Sequence, residues 1–332
     1  MQAQLVALDW GTTSLRAYQL GPGGQVLDQR SLALGIMQLP CEPRLIAGQL
    51  CSDGFELAFD EACGDWLRAQ PGLPVIACGM VGSAQGWREV PYCPTPARVS
   101  DLGASLQTVD SLSGAVIHIV PGVVQHSLLP NVMRGEETQV LGLLQSLPAS
   151  AVQTAPLIGL PGSHSKWVNV VDGCIQHFDT FMTGELYAVL CAHSILGRTQ
   201  RHGGPFDEAA FDRGVRMALS REGDIGPLST LFSARALGLT GQLGASEQPD
   251  YLSGLLIGHE LRALGEISLA RRHSVQLPEV ILIGNDQLCS RYRRALHACG
   301  FPRVTLAEQA TEQGLWSLAV AAGLVAQLPE EV

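Results

Sequence analysis

An apolar run over residues 5–8 ends in Asp9, a short stretch of small and hydroxyl residues follows, and a second run over 15–20 alternates apolar with polar positions. This pattern predicts strands over 4–9 and 15–20. Gly21-Pro22-Gly23-Gly24 marks a turn, and 25–30 reads as a third strand. Over 43–70 the spacing of Phe55, Leu57, Phe59, Trp66 and Leu67 suits helices. A short buried strand is expected over 73–78. The segment 79–87 is too rich in glycine for a helix and reads as a loop. A further strand is expected over 115–120, ended by Pro121-Gly122, and a helix over 134–146.

Near residue 150 the pattern starts again. An apolar strand over 156–160 leads to the polar turn Pro161-Gly162-Ser163-His164-Ser165. A strand over 166–171, a tight turn at Asp172-Gly173 and a strand over 174–178 follow. The order strand, polar turn, strand, tight turn, strand thus occurs twice, which predicts two related domains, 1–150 and 151–332, around a cleft. The rest of the second half reads as helices over 183–196, 206–218, 251–269, 291–298 and 314–328. A late strand is expected over 280–283, and a loop over 241–250. The final helix is free to pack back on the first domain.

Composition narrows the function classes. With 46% hydrophobic and 16% charged residues in 332, the chain can bury a large core. A net charge of −10 argues against a nucleic-acid surface. No 18-residue apolar run predicts a membrane span, and no secretory signal is read at the N-terminus. The nine cysteines are scattered without a C-x-x-C pair, which suits reduced thiols in a cytoplasmic protein. Neither a Walker-A sequence nor a G-x-G-x-x-G fingerprint occurs. His118, His126, His177 and His193 fit no metal spacing and read as structural or surface residues.

Five segments carry candidate chemistry. In the first turn Asp9, Gly11, Thr12, Thr13 and Ser14 offer a carboxylate, a glycine and three hydroxyls. Such a turn can present N–H groups and hydroxyls to phosphates and a carboxylate to Mg²⁺, and it equally suits an ordinary capped turn. The second turn, Gly162, Ser163, His164 and Ser165 with Lys166 beyond it, can embrace a nucleotide polyphosphate or form a plain hairpin. Two such hairpins facing each other would make a phosphate clamp. In the third segment Glu136 and Glu137 follow Arg134-Gly135 at the start of an apolar helix. Either glutamate can take a proton from an attacking hydroxyl, or the pair can complement the helix dipole.

The fourth group comprises Thr183 and Glu185 at a strand-to-helix change, with the loop bearing Met80, Gly82, Ser83, Trp87 and Arg88. Thr183 suits an N-cap or a substrate contact, and the loop suits a sugar pocket or a connection with a packed tryptophan. Arg134, Arg88 or Lys166 can bind a substrate carboxylate. Fifth, Gly284-Asn285 ends a strand where an adenosine can approach closely.

Together these segments resemble the 2-dehydro-3-deoxygalactonokinase family. The residues that carry the resemblance are Leu8-Asp9-Trp10-Gly11-Thr12-Thr13-Ser14-Leu15-Arg16-Ala17, Gly79-Met80-Val81-Gly82-Ser83 and Asn131 to Gln139. Pro161 to Trp167, Met182-Thr183-Gly184-Glu185-Leu186 and Leu252 to Gly258 complete the set. The resemblance implies an α/β protein with two ribonuclease-H-like domains of the actin-like ATPase type around a nucleotide cleft. It implies ATP-dependent phosphorylation of the 6-hydroxyl of 2-dehydro-3-deoxy-D-galactonate. Asp9–Thr13 would be the first phosphate loop, with Asp9 as metal anchor. Gly162–Ser165 would be the second loop, and Gly284 would lie in the adenosine motif, where many relatives carry two glycines.

Gly135-Glu136-Glu137 also looks like a segment of exopolyphosphatases in the same superfamily, where a glutamate is the base. The readings kept beside the kinase are another 2-keto-3-deoxy sugar-acid kinase, an exopolyphosphatase-like phosphohydrolase and a non-catalytic nucleotide-dependent regulator. A small sugar acid is the expected partner, and a homo-oligomer is compatible with the sequence.

Overall fold

A computed structural model describes residues 2–148, 155–273 and 275–326. By internal contact the chain divides into two units. One is Met1–Gln153, Val168–Phe178 and Glu308–Val332, and the other is Thr154–Trp167 and Asp179–Ala307. The expected boundary at 150/151 lies outside the described residues; the helix expected over 314–328 starts earlier and ends at Ala321, just before Gly323 at φ +72°.

In the first unit β1 (Leu5–Trp10), β2 (Leu15–Leu20) and β3 (Val26–Leu32) form an antiparallel meander. The hairpin β4 (Arg44–Ile46) and β5 (Gln49–Cys51) follows. Helical pattern had been expected from residue 43. The chain instead reverses at Ala47-Gly48, both at positive φ, and helix begins only at Gly54, capped by the Asp53 carboxylate. Next come β6 (Val75–Gly79), β7 (Cys93–Pro94), β8 (Gln107–Asp110), β9 (Val116–Ile119), β10 (Val123–Gln125) and β11 (Asn131–Met133). The main sheet has the order β3-β2-β1-β6-β9-β8, with β6 parallel to β1 and β9 parallel to β6. An antiparallel meander continued by parallel strands on its first member is the ribonuclease-H arrangement.

One face of this sheet carries Val6, Leu8, Trp10, Ala17, Val75 and Ala77, fully buried with Phe59, Ala62 and Cys63. Also in this unit, the helix Glu136–Ser146 packs on the helix Ala310–Ala321. Their axes approach closely because Gly142 and Gly314 leave no side chain between them; a Cβ on either would overlap the other helix's backbone.

In the second sheet β12 (Leu157–Leu160), β13 (Ser165–Val171), β14 (Cys174–Phe181), β15 (Val280–Leu282) and β16 (Val304–Leu306) take the order β14-β13-β12-β15-β16. β12, β15 and β16 run parallel, so the arrangement of the first sheet is repeated. The second unit's core joins Leu157, Trp167 and Leu282 to Phe211, Val215, Ile257 and Leu261. The latter four lie on the helices Glu208–Leu219 and Gln248–Arg272. The second of these starts inside the stretch expected to be loop, because Pro249 occupies its first turn. No helix among the described residues is long and apolar enough to cross a membrane.

Candidate active site

In the first unit Asp9 is the penultimate residue of β1, paired in register with Arg16 of β2 and Cys78 of β6. Its carboxylate meets the Arg16 guanidinium at 3.2 Å. Burial pushes the Asp9 carboxyl up, and Arg16 opposes that shift. The turn beyond is closed by the Gly11 N–H, which donates to the Ser14 carbonyl at 2.9 Å. Thr12 and Thr13 are exposed at its tip.

A segment that sequence reasoning missed supports this tip. The Ile36 N–H donates to the Gly11 carbonyl at 3.0 Å and the Met37 N–H to the Thr12 carbonyl at 3.1 Å. Gly35 lies so close that a Cβ there would overlap the Thr12 oxygen and Thr13 nitrogen. The buried Trp10 indole N–H fixes the same segment through the Leu34 carbonyl at 2.9 Å.

Beside Trp10, β6 ends at Gly79 with φ +90°, where a Cβ would lie 2.8 Å from the Trp10 carbonyl oxygen. Gly135, at φ +109°, approaches from the other side; a Cβ there would lie 3.3 Å from the Gly79 Cα. Two glycines thus let the start of the Glu136–Ser146 helix reach the end of β6, one strand from Asp9. The Arg134 N–H donates to Glu136 Oε2 at 3.0 Å, and the Gly135 N–H donates to Glu137 Oε2 at 2.7 Å. Glu136 is half-buried, whereas Glu137 is fully buried. Burial, with the neighbouring Glu136 charge adding to it, pushes the Glu137 carboxyl up to about 8. The Cys78 thiol lies in the field of both Asp9 and Glu137.

The 80–92 loop is tied into this unit. Met80–Gly82 is one turn of 3₁₀ helix, and Ser83 is buried with no hydrogen-bond partner for its hydroxyl. The Trp87 ring stacks on Phe55 at 5.9 Å and meets Trp10 and Phe59 edge-on, so it belongs to an aromatic cluster of the core. The exposed Arg88 donates to the Thr108 carbonyl. Arg134 donates to the Val90 carbonyl at 2.8 Å and lies over the Tyr92 ring, while its Nε and Nη1 have no hydrogen-bond partner.

In the second unit the turn after β12 leaves open space around Gly162 and exposes Ser163 and His164. The Glu185 N–H donates to the Ser163 carbonyl at 3.0 Å. Gly184 allows that approach, because a Cβ there would overlap the Gly162 carbonyl. His164 pairs with the exposed Glu185 carboxylate. Gly284, at φ +144°, adjoins Pro161, so the two turns expected to serve phosphate and adenosine are neighbours. A cavity of about 240 Å³ opens beside Gly162 and Ser163, walled by Tyr187, Ile257, Leu288 and Arg291.

Four expectations need correction here. Ser165 starts β13 and is fully buried; its hydroxyl meets the Tyr292 hydroxyl at 2.9 Å and does not line the turn. Lys166, expected as a candidate for the substrate carboxylate, is 4% exposed as the second residue of β13 and is not open to solvent beside the turn. Asn285 turns its side chain onto the Gln287 and Leu288 N–H groups as the N-cap of the helix Asp286–Ala298. Thr183 is the first residue of its helix, the N-cap position being Met182. Sequence reasoning also missed Glu260, a buried carboxylate that accepts from the Trp167 indole at 2.7 Å and the Tyr292 hydroxyl at 2.8 Å. Its only signal was an acid at a position within the helix Gln248–Arg272 flanked by the apolar residues Ile257 and Leu261.

Comparison with known proteins decides the family. The sequence model described as 2-keto-3-deoxy-galactonokinase matches residues 9–318. The chain belongs to the 2-keto-3-deoxy-galactonokinase family. It is 35% identical over 324 residues to the 2-dehydro-3-deoxygalactonokinase of Escherichia coli K12, covering 96% of this chain and 98% of that one. It is 36% identical to a Rhizobium meliloti protein named as a probable 2-dehydro-3-deoxygalactonokinase, over 93% and 94% of the two chains. A crystal structure from Sinorhizobium meliloti, described as a 2-dehydro-3-deoxygalactonokinase protein, matches with a TM-score of 0.79 and 34% identity. That match covers 96% of this chain and 98% of the other.

A kinase of this family implies a nucleotide and, usually, Mg²⁺. Among the described residues no group of three or more His, Cys, Asp or Glu could hold a metal ion. Mg²⁺ does not require such a cage, since it is commonly held by one or two carboxylates with water and substrate phosphates. The Asp9 carboxylate, beside exposed threonine hydroxyls, fits that donor set.

Proposed function

We propose that this chain is an ATP-dependent kinase that phosphorylates the 6-hydroxyl of 2-dehydro-3-deoxy-D-galactonate, in the cytoplasmic degradation of galactonate. The observation that carries the reading is the approach of Gly135-Glu136-Glu137 to Gly79, one strand from Asp9, in a member of this family. That arrangement supplies a metal-side carboxylate, a turn with exposed hydroxyls and a proton acceptor within one unit.

In the reaction the sugar O6 forms a bond to the γ-phosphorus as the bond from that phosphorus to the ADP oxygen breaks. The hydroxyl proton passes to a carboxylate of the Glu136-Glu137 pair, a contribution of about 10²–10⁴-fold. Mg²⁺ held by Asp9 would neutralise charge on the phosphates. The Gly11–Ser14 turn offers N–H groups and hydroxyls to the polyphosphate, and positioning with electrostatics does most of the work. The cavity beside Ser163 and Leu288 suits the adenosine. Arg134 is the best of the three cations proposed for the substrate carboxylate, because two of its nitrogens have no hydrogen-bond partner.

ATP consumption over a panel of sugars and sugar acids tests the reading. The expected result is the highest kcat/KM with 2-dehydro-3-deoxy-D-galactonate. ATP turnover that no 2-keto-3-deoxy acid stimulates would overturn it and favour a phosphohydrolase.

A further inference from the structure

The two adjacent glutamates are held in different ways. Glu137 has no exposed surface, and both its oxygens are engaged. Oε2 accepts the Gly135 N–H at 2.7 Å, and Oε1 accepts the Thr138 hydroxyl at 3.1 Å. Its carboxyl therefore closes the turn at Gly135, the residue whose φ of +109° brings the chain against Gly79. Glu136 precedes it in the chain and remains half-buried, with Oε2 on the Arg134 N–H.

A general base must come within hydrogen-bond reach of the proton it removes. A side chain without exposed surface and with both oxygens occupied does not meet that requirement; a partly exposed neighbour does. We propose that Glu136 is the catalytic base, and that Glu137 is a positioning residue whose buried carboxyl fastens the Gly135 turn and so sets Glu136 beside Gly79. This rests on the kinase reading and identifies the acceptor in its proton step. As the bond from O6 to phosphorus forms, the O6 proton moves to the Glu136 carboxylate, and Glu137 keeps its own protonation state.

The titratable groups around Glu137 agree with this division. Glu136 faces it from the same helix, and Cys78 faces it from β6. Asp9 and Tyr18, from β1 and β2, couple to that thiol, and Glu312 couples to Tyr18 from the helix Ala310–Ala321. Apart from Arg16 beside Asp9, these neighbours are acidic or neutral, so they favour an uncharged Glu137.

The test is steady-state kinetics of the full chain from about pH 4, near the ordinary glutamate range, to about pH 9 with ATP and 2-dehydro-3-deoxy-D-galactonate. Glu136→Gln should lower kcat by about 10²–10⁴-fold and abolish the acid limb of the kcat profile, with KM values changed by less than about threefold. Glu137→Gln still offers Gly135 an acceptor oxygen. It should lose no more than about tenfold in kcat and keep the acid limb, whereas Glu137→Ala should fall at least about tenfold further. The assignment is overturned if Glu137→Gln is as inactive as Glu137→Ala and lacks the acid limb while Glu136→Gln stays active. If Glu137→Ala does not fold, the two glutamine variants decide alone. Wild-type turnover separates the failures: its absence overturns the kinase reading along with the assignment, and its presence with the reversed pattern overturns the assignment alone.

Discussion

Gly35 lies against the Thr12 peptide so closely that any side chain at residue 35 would displace the tip of the first turn. This makes Gly35→Ala a test of the turn that adds no charge and removes no hydroxyl. Backbone cannot yield as a flexible side chain can, so the Thr12-Thr13 peptide must shift. The variant should raise KM for ATP at least about tenfold and lower stability by about 1–3 kcal/mol. Kinetics and chemical denaturation check both. An unchanged KM for ATP would remove this turn from the nucleotide site.

Asp9→Asn keeps the shape of the side chain and removes its charge. Burial already disfavours that charge, and only Arg16 offsets it. The thermal midpoint should therefore change little while Mg²⁺-dependent turnover falls by at least about 10²-fold. Near-normal turnover at saturating Mg²⁺ would take Asp9 out of the mechanism.

Ser165 offers the converse test. Its hydroxyl belongs to the buried network of Tyr292, Glu260 and Trp167. Ser165→Ala should lower stability by about 1–2 kcal/mol and leave KM for ATP within about twofold. A tenfold rise in KM for ATP without loss of stability would return Ser165 to the phosphate site.

Glu137 should leave a mark on stability against pH. Its carboxyl is raised from 4.5 to about 8 in the folded chain. Between those values the native state holds a proton that the unfolded chain has released. Stability attributable to this group is therefore present below about pH 4.5, declines as pH rises and is lost once pH passes about 8. The decline approaches roughly 1 kcal/mol per pH unit within that window. Urea denaturation at pH 5, 6.5 and 8 should show the slope in wild type and its loss in Glu137→Gln. Parallel slopes in the two proteins would contradict the burial account.

The two meanders were legible because each strand pairs with its chain neighbour, and local pattern and turn chemistry carry that information. Asp9, Gly11, Gly162 and the paired glutamates could be found for the same reason, each lying at a marked change of pattern. Gly35 and Glu260 could not, since their roles exist only once distant segments meet. The β4–β5 hairpin was hidden because Leu45 and Leu50, its opposed apolar pair, face outward and mimic the surface of a helix. Ser165 was read as the last residue of the turn, one step before the expected strand over 166–171. β13 begins at Ser165, and its first four residues are all buried, because both faces of the strand are covered at this end, a tertiary fact that local pattern does not carry.

The account's central claim is transfer of phosphate from ATP to O6 of one sugar acid. Phosphorus NMR of the product formed from ATP and 2-dehydro-3-deoxy-D-galactonate tests it most directly. The predicted result is one new phosphomonoester, coupled to the C6 protons and equal in amount to the ADP formed. Inorganic phosphate in place of that ester, or an ester at another carbon, would contradict it.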